Sequence, residues 1–107
     1  GCLIMELLPG GDLYTQMVSR YCNHEGYSEA DVRQIGQMAL TGLAAIHDLD
    51  VVHRDLKPEN VLLIDRRGGL PELRIADFGA ARRLRDPGST GGSNAATGRA
   101  GTPGYMA

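Results

Sequence analysis

Between residues 28 and 48 the chain has few options other than a helix. Ser28-Glu29-Ala30-Asp31 has the form of a capping box, with the Ser28 side chain placed to accept N–H groups that a first turn leaves open. Behind it Val32, Ile35, Ala39, Gly42, Leu43 and Ile46 recur at helical spacing. That spacing predicts a helix over residues 29–48, about 30 Å long, with one apolar stripe facing a core. Gly36 and Gly42 each cost such a helix about 1 kcal/mol against alanine, a cost best explained by a close-packed neighbour. After Val51-Val52 comes a polar segment, residues 53–60, in which Pro58 forbids a continuous helix. Val61-Leu62-Leu63-Ile64 and Leu73-Arg74-Ile75-Ala76 then read as two short strands joined by a Gly/Pro-containing turn over residues 65–72. The organisation is α+β.

The flanks are less regular. Leu3-Ile4-Met5-Glu6-Leu7-Leu8 is a short apolar run consistent with a buried strand, stopped by Pro9-Gly10-Gly11. Asp12 can cap a short helix carrying Leu13, Met17 and Val18 on one side, and residues 21–27 read as a loop. From residue 86 to 101 almost no large apolar residue occurs. That stretch cannot bury enough surface to offset its ordering entropy and is expected to be mobile.

Composition removes several function classes. Eleven Lys and Arg against thirteen Asp and Glu give a net charge of −2, which argues against a basic nucleic-acid binder. No apolar run approaches the ~20 residues needed to span a bilayer. Gly1-Cys2-Leu3 has neither an initiator Met nor a basic leader and reads as an internal start rather than a signal peptide. Cys2 and Cys22 offer no metal-ligand spacing; they read as reduced, buried or half-buried thiols of a reducing compartment.

The chemistry is concentrated in residues 53–60, His-Arg-Asp-Leu-Lys-Pro-Glu-Asn. A carboxylate, an ammonium two residues later and an amide five residues later share one irregular loop, and Asp77-Phe78-Gly79 follows the second strand. Such a set suits phosphoryl transfer from a nucleotide. The reaction needs acceptor positioning, neutralisation of charge on the γ-phosphoryl oxygens, and hard oxygen ligands for magnesium. Asp55 can accept a hydrogen bond from the attacking hydroxyl, Lys57 can lie against the transferring phosphate, and Asn60 and Asp77 can supply oxygens to the metal.

On these residues the sequence resembles the eukaryotic protein kinases. Gly101-Thr102-Pro103-Gly104-Tyr105-Met106-Ala107 is similar to the end of the family's activation loop, and residues 4–13 to its last N-lobe strand and hinge. The resemblance implies a partial kinase fold over residues 1–107. Residues 1–9 would be N-lobe strand and hinge, 10–60 the helices and catalytic loop of the mainly helical first half of the C-lobe, 61–76 a small catalytic hairpin, and 77–107 the metal-binding motif and activation loop.

Position by position, the resemblance implies that Met5 is the gatekeeper beside the adenine pocket. Glu6 and Leu8 would offer backbone groups to the adenine edge, Asp12 would face the ribose hydroxyls, and Leu62 would floor the ring. The ATP site would also include Glu59, Asn60 and Asp77. Asp55 would be the proton acceptor, Lys57 the γ-phosphate contact, and Asn60, with its loop role, a magnesium ligand together with Asp77. His53 and Phe78 would stack in an apolar column. Arg54 would pair with a phosphorylated activation-loop residue, among Ser89, Thr90, Ser93 and, in first place, Thr97, with Arg82, Arg83 and Arg85 as further partners or a merely solvated cluster.

Lys57, together with Gly101-Thr102-Pro103, resembles serine/threonine rather than tyrosine kinases, and Thr102 would touch both Asp55 and Lys57. Ile46-His47-Asp48-Leu49 and the Gly-Thr-Pro-Gly-Tyr ending are most similar to calcium/calmodulin-dependent-type kinases. The implied partners are ATP, protein substrates with Ser or Thr acceptors, and an upstream kinase or calmodulin-type regulator, with no nucleic acid and no membrane span. Asp12 and Glu59 would favour basic residues upstream of the acceptor. The implied location is cytoplasmic, or more broadly intracellular with the nucleus included. The Gly-rich loop, strand lysine and αC glutamate of the family would lie before Gly1, so this polypeptide alone is expected to be inactive. A pseudokinase scaffold and a small-molecule kinase are the competing readings. The intact Asp55, Asn60 and Asp77 oppose the first; Lys57-Pro58-Glu59 and the Gly-Thr-Pro segment oppose the second.

Overall fold

The computed structural model describes residues 1–64, 72–84 and 100–105. The expected turn over residues 65–72 (Glu72 apart), most of the expected mobile stretch and the four candidate phosphosites lie outside the described residues, as does Arg85.

Helix α1 spans Leu13–Cys22 and α2 spans Glu29–His47. Four short strands follow: β1 (Val51–Val52), β2 (Val61–Ile64), β3 (Glu72–Ile75) and β4 (Arg82–Arg83). The capping box forms as read, with the Asp31 N–H donating to Ser28 Oγ at 3.1 Å and the Ser28 N–H donating to Asp31 Oδ2 at 3.0 Å. Two orphan donors of the first turn are thereby satisfied, and α2 ends on His47 with Asp48 as its cap.

Strands β2 and β3 form the antiparallel hairpin, with Val61 opposite Ile75 and Ile64 opposite Glu72. The backbone of residues 10–12 lines the other edge of β2: the Gly10 N–H donates to the Leu63 carbonyl (3.0 Å) and the Leu63 N–H donates to the Gly11 carbonyl (2.8 Å). Gly10 has to be glycine for this approach, because a Cβ there would stand 2.3 Å from the Leu63 oxygen. A second ribbon pairs β1 with β4, Val51 opposite Arg83 and Val52 opposite Arg82. Two residues per strand are too few to show alternation, so the sequence carried no sign of it.

The core is Leu13, Val61, Leu63 and Leu73, with Ile35, Met38 and Ala39 of α2 packed against it. Burial of Leu63, 1% exposed, contributes about 2 kcal/mol. Gly42 has the close neighbour its helix cost required, since a Cβ would meet Ile75 Cδ1 at 3.0 Å. Gly36 has none within 4 Å.

Several expectations need correction. Residues 3–8 form no strand, and Leu3, Ile4, Met5 and Leu7 are exposed. A lone strand leaves its ladder groups unpaired, and no described strand lies beside this one. Leu13 is buried, but Met17 and Val18 face outward, because the bridge between Asp12 and Leu62 turns the Leu13 side of α1 toward the hairpin. Helix α1 also runs two residues further than read, so the loop begins at Asn23. Val32 lies off the packed stripe of α2. Cys2 and Cys22 are free as expected but exposed rather than buried. No helix among the described residues is long and apolar enough to cross a membrane.

Candidate active site

Residues 53–60 run between β1 and β2, so both ends of the loop are tied to ribbons. Arg54 takes a left-handed backbone (φ 66°), which turns the chain sharply before Asp55. Pro58 opens a single 3-10 turn, Pro58–Asn60, closed by the Asn60 N–H donating to the Lys57 carbonyl at 2.9 Å. This turn brings Asn60 back over Asp55. Its amide nitrogen donates to the Asp55 carbonyl (2.8 Å) and to Asp55 Oδ2 (3.3 Å), leaving the Asn60 side-chain oxygen as the atom that can serve a cation.

Thr102 reaches the same carboxylate. Lys57 Nζ donates to Thr102 Oγ1 at 2.5 Å and stands 3.4 Å from Asp55 Oδ2; the Thr102 hydroxyl donates to Asp55 Oδ1 at 2.7 Å. The Asp55 and Lys57 side chains are only 17% and 18% exposed, so these contacts are partly shielded from water. The Thr102 hydrogen bond, followed by the contacts of Lys57, holds the Asp55 carboxyl below the usual carboxylate range against an opposing effect of burial. Beside it Arg54, Asp55, Leu56, Gly101, Thr102 and Tyr105 line an open cleft of about 220 Å³.

Asp77 is brought to this loop through its neighbour. The Ala76 N–H donates to the Asn60 carbonyl (2.8 Å), and the Ala76 carbonyl accepts from His53 Nε2 (2.9 Å). His53 is 1% exposed, and its Nδ1 accepts the Asp55 N–H at 3.3 Å, which fixes the tautomer with the proton on Nε2. One imidazole thus holds the backbone of Asp55 to the residue preceding Asp77. The Phe78 ring meets the His53 ring edge-on, centroids 5.0 Å apart. Asp77 itself is left-handed (φ 59°), and its carboxylate accepts the Gly79 N–H at 3.2 Å. Arg54 Nε donates to the Ala80 carbonyl at 2.7 Å, tying the same two segments a third time.

The remaining expected residues divide. Leu62 is half-buried on β2 beside Asp12. Met5 and Glu6 lie on the exposed N-terminal stretch and are not drawn toward the loop; Leu8 is half-buried, and neither Glu6 nor Leu8 makes a backbone hydrogen bond among the described residues. Asp12 caps α1: its Oδ1 accepts the Thr15 N–H and its Oδ2 the Thr15 hydroxyl, both at 2.8 Å. Thr15 has one sequence signal, an Asp three residues before it at a helix start. Glu59 is half-buried, and its Oε2 has no hydrogen-bond partner among the described residues. Arg82 and Arg83 are exposed on β4.

No group of three or more His, Cys, Asp or Glu able to hold a metal occurs among the described residues. Two hard oxygen donors, Asn60 and Asp77, are nonetheless a fitting set for magnesium, which takes one or two protein oxygens and completes its shell with phosphate and water.

A buried imidazole, a carboxylate with a lysine at its side and a left-handed aspartate at the start of a 3-10 turn are thus gathered on loops joined through Ala76. The chain belongs to the protein kinase domain family, whose model matches residues 1–107. Among its relatives, a calcium/calmodulin-dependent protein kinase type II of Caenorhabditis briggsae is 43% identical over 104 residues, 97% of this chain and 17% of that protein. The Caenorhabditis elegans protein of that name is 42% identical, covering 97% of this chain and 13% of its own length. The alpha chain of the type II kinase of Drosophila melanogaster is 41% identical, covering 97% and 18%. The chain therefore spans less than a fifth of the length of these curated relatives.

Proposed function

We propose that this chain is the catalytic-loop segment of an ATP-dependent serine/threonine protein kinase. The observation that carries the reading is the three-way contact of Asp55, Lys57 and Thr102. Asp55 Oδ1 is held by Thr102, and Oδ2 lies beside the Asn60 amide and the Lys57 ammonium. The acceptor Ser or Thr hydroxyl gives its proton to Asp55 as its oxygen bonds to the γ-phosphorus, the bond to the bridging oxygen breaks, and ADP leaves. Lys57 sits where it meets charge on the transferring group. Magnesium, held by the Asn60 oxygen and Asp77, would neutralise the phosphate oxygens when bound.

Glu6 and Leu8, whose backbone groups make no hydrogen bond among the described residues, suit the adenine edge; Met5 stands as gatekeeper, Leu62 as floor and Asp12 at the ribose. Glu59, whose Oε2 has no hydrogen-bond partner among the described residues, suits a basic substrate side chain upstream of the acceptor, as does Asp12. The names of the calcium/calmodulin-dependent relatives support calmodulin-type regulation.

The test is a radiolabelled-ATP assay on the full-length protein carrying this segment, wild type beside Asp55→Asn, with protein and small-molecule acceptors. Transfer to protein Ser or Thr that falls by two or more orders of magnitude in the variant is the expected result. Equal activity in the two forms overturns the role of Asp55, and no transfer in either favours a pseudokinase.

A further inference from the structure

The carboxylate of Asp12 is not free to swing. Thr15 takes both of its oxygens, one through the backbone N–H and one through the hydroxyl, each at 2.8 Å. Two bonds to two different oxygens fix the carboxylate plane as well as its position, whereas a cap through the N–H alone leaves rotation about the bond to the carboxyl carbon. On the backbone side Asp12 is bridged to Leu62, and Gly10 and Gly11 on one side are paired with Leu63. The carboxyl group is therefore held from both ends, beside the residue that would floor the nucleobase. Each carboxylate oxygen retains lone-pair capacity after accepting one hydrogen bond, so the group can still accept from a ligand.

We propose that Thr15 is a positioning residue for the nucleotide sugar: its hydroxyl presets the Asp12 carboxylate to accept the ribose hydroxyls of ATP. The inference rests on the nucleotide site proposed above and deepens it. A preset acceptor loses no side-chain freedom on binding, so the benefit appears as tighter nucleotide binding. The Thr15 N–H and then its hydroxyl also hold the Asp12 carboxyl below the usual carboxylate range, which keeps it an acceptor at neutral pH.

The experiment compares ATP with 2′,3′-dideoxy-ATP in the full-length protein, for wild type, Thr15→Val, Thr15→Ser and Asp12→Ala. Valine keeps the backbone cap and removes only the hydroxyl bond; serine restores it. The expected result is a rise of about fivefold in KM for ATP in Thr15→Val, near the worth of one hydrogen bond, with little change for the dideoxy nucleotide and recovery in Thr15→Ser. The effect falls on KM more than on kcat. A purely helix-capping Thr15 would shift both nucleotides alike or neither, and either outcome overturns the proposal. If Asp12→Ala fails to distinguish the two nucleotides, the ribose role of Asp12 falls and takes the proposal with it. Phosphotransfer by that variant would show that the kinase reading itself stands.

Discussion

Thr102 donates its hydroxyl hydrogen to Asp55 across 2.7 Å, joining two residues 47 positions apart. The same oxygen accepts from Lys57. A threonine far along the chain thus sets the orientation of both charged groups.

Thr102→Val keeps the shape and removes the hydroxyl. Asp55 and Lys57 then lose their shared partner, and kcat/KM for a protein substrate is expected to fall by roughly tenfold or more, the scale of a hydrogen bond to a charged group. Steady-state kinetics of the full-length protein check this, with Thr102→Ser expected to recover most of the loss.

The pH profile follows from the same bond. Asp55 has a depressed carboxyl, first through Thr102 and then through Lys57. A depressed carboxyl contributes stability above its ordinary value of about 3.9 and loses it as pH falls through the lower folded value. The acidic limb of kcat/KM belonging to Asp55 is therefore expected below about pH 4. In Thr102→Val that limb should move upward, as measured by pH–rate profiles or carboxyl titration.

Gly10 and Gly42 are both crowded, with different consequences. Alanine at Gly10 would press on the Leu63 backbone oxygen at 2.3 Å, which cannot give way without breaking the pairing of residues 10–12 with β2. A loss of about 1–3 kcal/mol is expected. Alanine at Gly42 would meet only the Ile75 side chain, at Cδ1 (3.0 Å) and Cγ1 (3.4 Å), which can shift, and would gain about 1 kcal/mol of helix propensity. Its net effect should stay within about 1 kcal/mol of zero. Urea denaturation of the two variants separates the cases.

His53→Phe preserves ring volume and the contact with Phe78 but leaves the Ala76 carbonyl and the Asp55 N–H without their imidazole. The orphaned Ala76 carbonyl alone should cost about 1–3 kcal/mol. The expected signature is a lowered Tm together with a lowered kcat, because one of the three ties between the Asp55 loop and the Asp77 segment is cut.

Much of the site was legible because its parts are close in sequence. Asp55, Lys57 and Asn60 lie within six residues around a proline, and Pro58 dictates the turn that returns Asn60 to Asp55. The capping box made α2 readable to within a residue, since both bonds join residues three apart. The β1–β4 ribbon was not legible, because two-residue strands have no period. Nor was the outward turn of Met17 and Val18, which follows from a bridge between Asp12 and a residue fifty positions later.

Local chemistry in the chain alone settled where α2 starts, where β2 lies and, to within a residue, where β3 lies. Capping, proline geometry and hydrophobic spacing act over a few residues and need no knowledge of what packs where. Tertiary structure alone decided that His53 would bind Ala76 across 23 positions and that residues 3–8 would be left outside a sheet. Those outcomes depend on which backbone and side-chain groups meet after folding, and no spacing along the chain encodes them.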